Sequence, residues 1–91
     1  METIIKNRML EKKVIFSIYE NKNIVVYALY DIRQKIFAIV AIHFLYEDVT
    51  AAFDEYETLF YELLNSELTR PYLYWYEDID VAIQKHFEEF I

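Results

Sequence analysis

The chain has 91 residues, no cysteine, no glycine and one proline, and 56% of its residues are hydrophobic. This length fits one domain. The lack of cysteine excludes disulfides and thiolate chemistry. The lack of glycine excludes Walker and dinucleotide phosphate loops, because these loops need backbone without a Cβ. The net charge of −7 is unevenly divided, because residues 1–45 carry +3 and residues 46–91 carry −10. We therefore expect the carboxyl-terminal half to present a defined acidic face.

Residues 1–12 show a weak helical pattern, with Ile5 and Met9 on one stripe. We predict a short amino-terminal helix here, with the start of the first strand as the alternative. The first residues do not resemble a signal peptide, because their charges are scattered and no apolar core segment is present. The chain is therefore expected to be cytoplasmic, in the host cytoplasm if it is viral. The bases of this segment are interpreted as a solvated face, since a nucleic-acid footprint would have aromatic or glycine context.

Three apolar segments, residues 14–19, 24–32 and 36–45, predict an antiparallel meander. Residues 36–45 are interpreted as the central strand, buried on both faces, because nine of these ten residues are apolar. Asn21 and Asn23 are expected to supply left-handed backbone to the first turn. Both faces of residues 24–32 are apolar. Helices of this chain could cover one face, and the other would meet the amino-terminal helix, a second copy or a target.

Residues 49–64 predict a long amphipathic helix with Asp48 as N-cap and an end at Asn65–Ser66. After Pro71, residues 72–76 predict a possible fourth strand with Leu73 and Trp75 towards the core. Residues from Asp78 onwards predict a carboxyl-terminal helix capped by that aspartate. The expected fold is α+β: a three- to four-stranded antiparallel sheet with a long amphipathic helix, a carboxyl-terminal helix and the short amino-terminal helix.

Catalytic, metal and cofactor sites are not expected. The two histidines, His43 and His86, lack the spacing of a multi-ligand site, although His86 and Glu89 are three apart on a helix. Ser17 and Ser66 lie outside any nucleophile-elbow context. Pairs of carboxylates could act as acid and base, but an exposed acidic helix face explains them. We therefore predict that the chain is not an enzyme and that it has no cofactor.

A partner-binding surface is the main functional prediction. The long helix carries acids on its polar face with no base to offset them, and the aromatic row after Arg70 has the residue types that dominate protein interfaces. Acids next to this row disfavour direct nucleic-acid binding there, although its aromatic rings could stack on bases. The predicted partner-binding residues are Asp54, Glu55, Glu57, Glu62, Arg70, Tyr72, Tyr74, Tyr76, Glu77, Asp78 and Asp80.

The leading hypothesis is a small acidic inhibitor, encoded by a phage or mobile element, that blocks a basic nucleic-acid-handling protein by mimicking phosphates. Carboxylates three or four residues apart on a helix lie ~5–6 Å from one another, near the scale of successive phosphates. In size, acidity and aromatic content the chain is similar to phage-encoded inhibitors of host defence, anti-CRISPR proteins among them, a resemblance of class that assigns no residue roles.

The alternatives are an immunity protein or antitoxin that plugs a toxin's basic cleft, and a homodimeric structural module. Neither nucleic acid nor membrane is expected as a direct partner, whereas a homodimer is.

Overall fold

The computed structural model describes residues 8–45 and 49–90, and these form an α+β fold with a three-stranded antiparallel sheet and two helices. In chain order the elements are β1 (Leu10–Tyr19), β2 (Lys22–Asp31), β3 (Ile36–Phe44), α1 (Val49–Thr69) and α2 (Ile79–Phe90). The strands pair in the order β1-β2-β3, which confirms the predicted meander.

The central strand is β2, so the prediction that residues 36–45 form the centre is wrong. Residues 24–29 of β2 are all buried, whereas β3 is an outer strand whose residues 41–44 are only half-buried. An apolar run cannot separate a central strand from an outer strand that helices cover, because both bury two faces. The sheet order therefore had to come from the structure.

Each face of the sheet is covered by a helix of this chain. On one face Ile24, Val26 and Ala28 pack with Ala82 and Phe87 of α2. On the other face the alternate residues of β2 pack with α1, and this second core contains Val25, Tyr27, Leu29, Val40 and Phe60. The expectation that one face would need the amino-terminal helix, a second copy or a target is wrong, because α1 and α2 lie on opposite faces.

The turn between β1 and β2 has left-handed backbone at Glu20 (φ 49°) and Asn21 (φ 66°). Two consecutive residues of this kind make the hairpin turn that matches strand twist, and glycine or asparagine usually occupies it. Asn23, which was expected to share this role, lies in β2 instead. Because the chain has no glycine, Glu20 adopts this left-handed conformation, which costs a residue with a Cβ about 1–2 kcal/mol.

Helix α1 continues to Thr69, five residues beyond the predicted end. The hydroxyls of Ser66 and Thr69 donate to the carbonyls of Glu62 and Asn65, four residues back, so these polar side chains are accommodated within the helix. Arg70 is followed by Pro71, and the residue before a proline is disfavoured in helical conformation. The proline rather than Asn65–Ser66 therefore sets the end of α1. The predicted N-cap, Asp48, lies outside the described residues.

The segment between the helices makes one bridge to the sheet and no fourth strand. Phe37 and Tyr76 exchange backbone hydrogen bonds of 2.6 and 2.8 Å at the edge of β3. Leu73 and Trp75 pack into the α1-side core, as predicted, whereas Tyr76 packs against the core under α2. The cap of α2 is confirmed, since an Asp78 carboxylate oxygen accepts from the Asp80 N–H at 2.7 Å.

No amino-terminal helix is found among the described residues. Residues 10–12, which were assigned to it, form the start of β1, as the alternative interpretation proposed. The rest of the predicted helix up to residue 7 lies outside the described part of the chain. The helical pattern of this segment was weak, and the ladder with β2 supplies the hydrogen bonds that fix residues 10–12 as strand.

Candidate protein-docking surface

The outward side of α1 carries the acidic face that the sequence predicts. Asp54, Glu55 and Glu62 are exposed and, with Thr58 and Leu59, line one shallow depression. None of the ion pairs in the described part of the chain includes any of these three carboxylates. The helix itself does not require them, because they lie outside its first turn, where the dipole would favour acids. We call these three residues the α1 acidic face.

Glu57 belongs to a different environment and is not part of this face. Its carboxylate forms an ion pair with the Lys12 ammonium of β1 at 2.5 Å, and this hydrogen bond holds the pKa of Glu57 below its usual value. Lys12 also donates to the Tyr61 hydroxyl at 3.4 Å. Burial lowers the pKa of Lys12, but its bonds to Glu57 and Tyr61 outweigh that effect and raise the pKa overall. Glu57 therefore links α1 to β1, and its charge is neutralised within the molecule.

The acids at the start of α2 form a second group. Glu77, Asp78 and Asp80 are exposed and make no ion pair among the described residues. They precede or open a helix on the opposite face of the sheet from α1. Acids there also favour helix formation, because they lie next to the positive end of the helix dipole. The structure therefore places the predicted acidic residues on two separate surfaces.

The aromatic row divides in the same way. Tyr72 and Tyr74 are exposed, Tyr74 by 65%, whereas Tyr76 is half-buried under α2. The two exposed tyrosines line a mainly apolar cleft together with His86 and Phe90 of α2. Arg70 is exposed at the end of α1. None of these residues lines the shallow depression of the α1 acidic face.

A buried ion pair was not anticipated from the sequence. Glu67 is fully buried, accepts from Arg8 at 2.9 Å, and accepts from the backbone N–H groups of Tyr72 and Leu73 at 2.8 and 2.9 Å. The Arg8 guanidinium also lies 4.9 Å from the centre of the Trp75 ring. One signal was available: Glu67 follows Phe60 by seven residues, which places it on the buried stripe of α1. Its partner, 59 positions away in the chain, could not be identified.

The two histidines contact different aromatic rings, and both line one depression beside β3. The His43 ring stacks on Tyr56 with centroids 3.9 Å apart, its Nε2 atom is buried without a partner, and burial lowers its pKa. His86 contacts Phe90, and burial lowers its pKa against the opposing effect of Glu89. Within the described ranges, no group of three or more His, Cys, Asp or Glu residues is arranged to hold a metal ion.

Comparisons with known proteins add no relationship: no family model, no curated protein and no solved structure matches the chain. In the described parts of the chain, neither helix is long and apolar enough to cross a membrane.

Proposed function

We propose that this protein binds and blocks a basic, nucleic-acid-handling protein through the α1 acidic face. The observation that supports the proposal is the difference among the acids of one helix. Glu57 and Glu67 have cationic partners, whereas Asp54, Glu55 and Glu62 are exposed and make no ion pair among the described residues. A cluster of uncompensated carboxylates is complementary to a positively charged cleft.

Phosphate mimicry explains how such a face would inhibit. The acids occupy residues 54–62 of a helix that rises 1.5 Å per residue, so the face extends over about 12 Å. Carboxylates on this rigid support would occupy positions that backbone phosphates take in the partner's cleft. Association is expected to be fast and to weaken as salt screens the charges.

Charge reversal tests the proposal. The variant D54K/E55K/E62K removes the α1 acidic face, and E77K/D80K/E89K is a matched control with the same change in net charge on exposed residues elsewhere. Each tagged protein is incubated with lysate of the source cell, and bound proteins are identified by mass spectrometry. We expect a basic protein to be retained by wild type and the control but lost from the α1 variant.

Competition with nucleic acid completes the test. Adding a generic DNA duplex to the lysate should release the retained protein, because duplex and inhibitor would occupy the same cleft. Equal loss of binding in both charge-reversal variants would show that net charge alone is responsible. That result, or retention that excess duplex does not change, would contradict the proposal.

A further inference from the structure

The free edge of β1 carries an interaction surface separate from the α1 acidic face. β1 is an outer strand, and its pairing with β2 continues without a bulge from Leu10↔Asp31 to Tyr19↔Lys22. On the α1 side of the sheet β1 exposes three apolar side chains in a row: Val14 (39%), Phe16 (63%) and Ile18 (69%). We call these three residues the β1 apolar row.

The backbone groups of the β1 apolar row point away from β2. The Ile32 N–H donates to the Met9 carbonyl at 2.8 Å, which makes Met9 and Ile32 a hydrogen-bonded pair of the extended ladder. Bonded and non-bonded pairs alternate along an antiparallel ladder. The odd-numbered residues of β1 therefore bond to β2, and the N–H and C=O groups of Val14, Phe16 and Ile18 face the open edge.

The opposite edge of the sheet is protected in two ways. Phe37 of β3 already exchanges backbone hydrogen bonds with Tyr76, and the register between β2 and β3 shifts at Tyr27/Ala28. Covering segments and bulges are devices by which proteins prevent strand addition. In the described chain β1 has neither device, and its residues from Val14 to Ile18 carry no charge, so strand addition is open along that part of the edge.

We propose that two copies of this chain pair through β1 in an antiparallel, two-fold arrangement centred on Phe16, which joins their sheets into one of six strands. In this register Phe16 faces Phe16 of the second copy, and Val14 faces Ile18. The exposed side chains of the β1 apolar row then cover one another, and the outward backbone groups form hydrogen bonds across the interface.

Charge favours a second copy as the occupant of this edge. The apolar row is flanked by Lys12 on one side and Glu20 on the other, so antiparallel self-pairing brings Glu20 opposite Lys12 of the second copy, whose ammonium also contacts Glu57. Residues 8–22 carry four bases and two acids, in a molecule of net charge −7. Two such molecules therefore repel each other least where their β1 edges meet.

Disulfide trapping tests the register, because the chain has no cysteine of its own. In the proposed dimer the Cα atoms of the two Phe16 residues lie about 5.5 Å apart, which suits a disulfide. The Cα atoms of the two Ile18 residues are displaced by four positions, roughly 13 Å along the strands, which is too far for a disulfide. F16C should therefore form covalent dimers at least about tenfold faster than I18C or Y74C, two controls at equally exposed positions.

Light scattering gives the second measurement. Wild type should form a dimer that persists in high salt, and F16K should weaken the dimer at least about tenfold, whereas Y74K should not. D54K/E55K/E62K should dimerise normally, and F16K should still retain the basic partner, so the two proposals fail separately. Wild type that stays monomeric into the millimolar range, or equal trapping of all three cysteine variants, would overturn the dimer.

Discussion

Glu57, Glu62 and Glu67 lie on the same helix, but their surroundings give them different roles. Glu67 is buried against Arg8 and two backbone N–H groups, Glu57 is paired with Lys12, and Glu62 is exposed and makes no ion pair in the described structure. Two of the three carboxylates therefore stabilise the fold. Only exposed acids that make no ion pair in the described structure, such as Glu62, contribute to the electrostatic field that a partner would meet.

Substitution of Glu67 should separate the structural acids from the surface acids. E67A leaves Arg8 buried without its partner, a change that costs about 3–5 kcal/mol of unfolding free energy. E67Q should lose less, because its amide oxygen can still accept from Tyr72 and Leu73. E62A is the control, with an expected change within about 0.5 kcal/mol. Urea denaturation measures all three variants, and a loss below about 1 kcal/mol in E67A would contradict this account.

His43 should make stability depend on pH near neutrality. Burial lowers its folded-state pKa below the usual 6.5. Above 6.5 both folded and unfolded states hold a neutral ring, whereas below it the unfolded state binds the proton first, so stability falls as the pH drops towards the folded pKa. H43F keeps a ring against Tyr56 and should reduce this loss. Urea denaturation midpoints of wild type and H43F at neutral and mildly acidic pH test this expectation. H86F should also reduce the loss, because burial lowers the pKa of His86 as well. An unchanged slope in H43F would refute the assignment.

Part of the candidate site could be predicted from the sequence and part could not. The outward position of Asp54, Glu55 and Glu62 follows from helical periodicity alone, and the structure places them together. The partner of Glu57 is a residue 45 positions away, and no local pattern encodes such a contact. Periodicity therefore shows which acids leave the core, but tertiary structure decides which of them remain unpaired.

At the level of elements, the types were easier to predict than their order and limits. Apolar alternation and helical spacing identified three strands and two helices, because burial on a defined face produces those periods. The same patterns could not show that β2 is central, since the apolar run of β3 is also covered by helices. The end of α1 was missed because Ser66 and Thr69 bond within the helix.

The turn between β2 and β3 offers a prediction at this scale. Lys35 has a φ of 58°, a conformation that costs a residue with a Cβ about 1–2 kcal/mol and glycine almost nothing. K35G should therefore raise the unfolding free energy by about 0.5–1 kcal/mol, after the greater freedom of glycine in the unfolded chain is deducted. Q34G, one residue earlier and without positive φ, should lower it by a similar amount. Thermal unfolding compares the two, and equal effects would contradict the role of φ at Lys35.

At the scale of the whole molecule, two surfaces point in different directions. The sheet is enclosed by α1 and α2, so the apolar excess that the composition shows is largely consumed within the chain. The exposed surface includes the β1 apolar row at one edge, the apolar cleft of Tyr72, Tyr74 and Phe90, and the α1 acidic face on one helix. A dimer through β1 would leave both copies of the acidic face free, and two such faces would strengthen binding to a partner with repeated basic sites.

The α1 acidic face should lower the stability of the monomer fold, which would be hard to explain without a function. D54N/E55Q/E62Q removes three of the charges behind the net −7 and lowers the self-repulsion of the acidic chain. We expect about 0.5 kcal/mol more unfolding free energy than wild type at low salt and little difference at high salt, measured by urea denaturation. E77Q/D80N/E89Q should bring no gain, because Asp80 lies in the first turn of α2 and favours the helix dipole. A stability gain confined to α1 would mean that its carboxylates are retained against stability, as binding residues are; no gain there would make them ordinary surface residues.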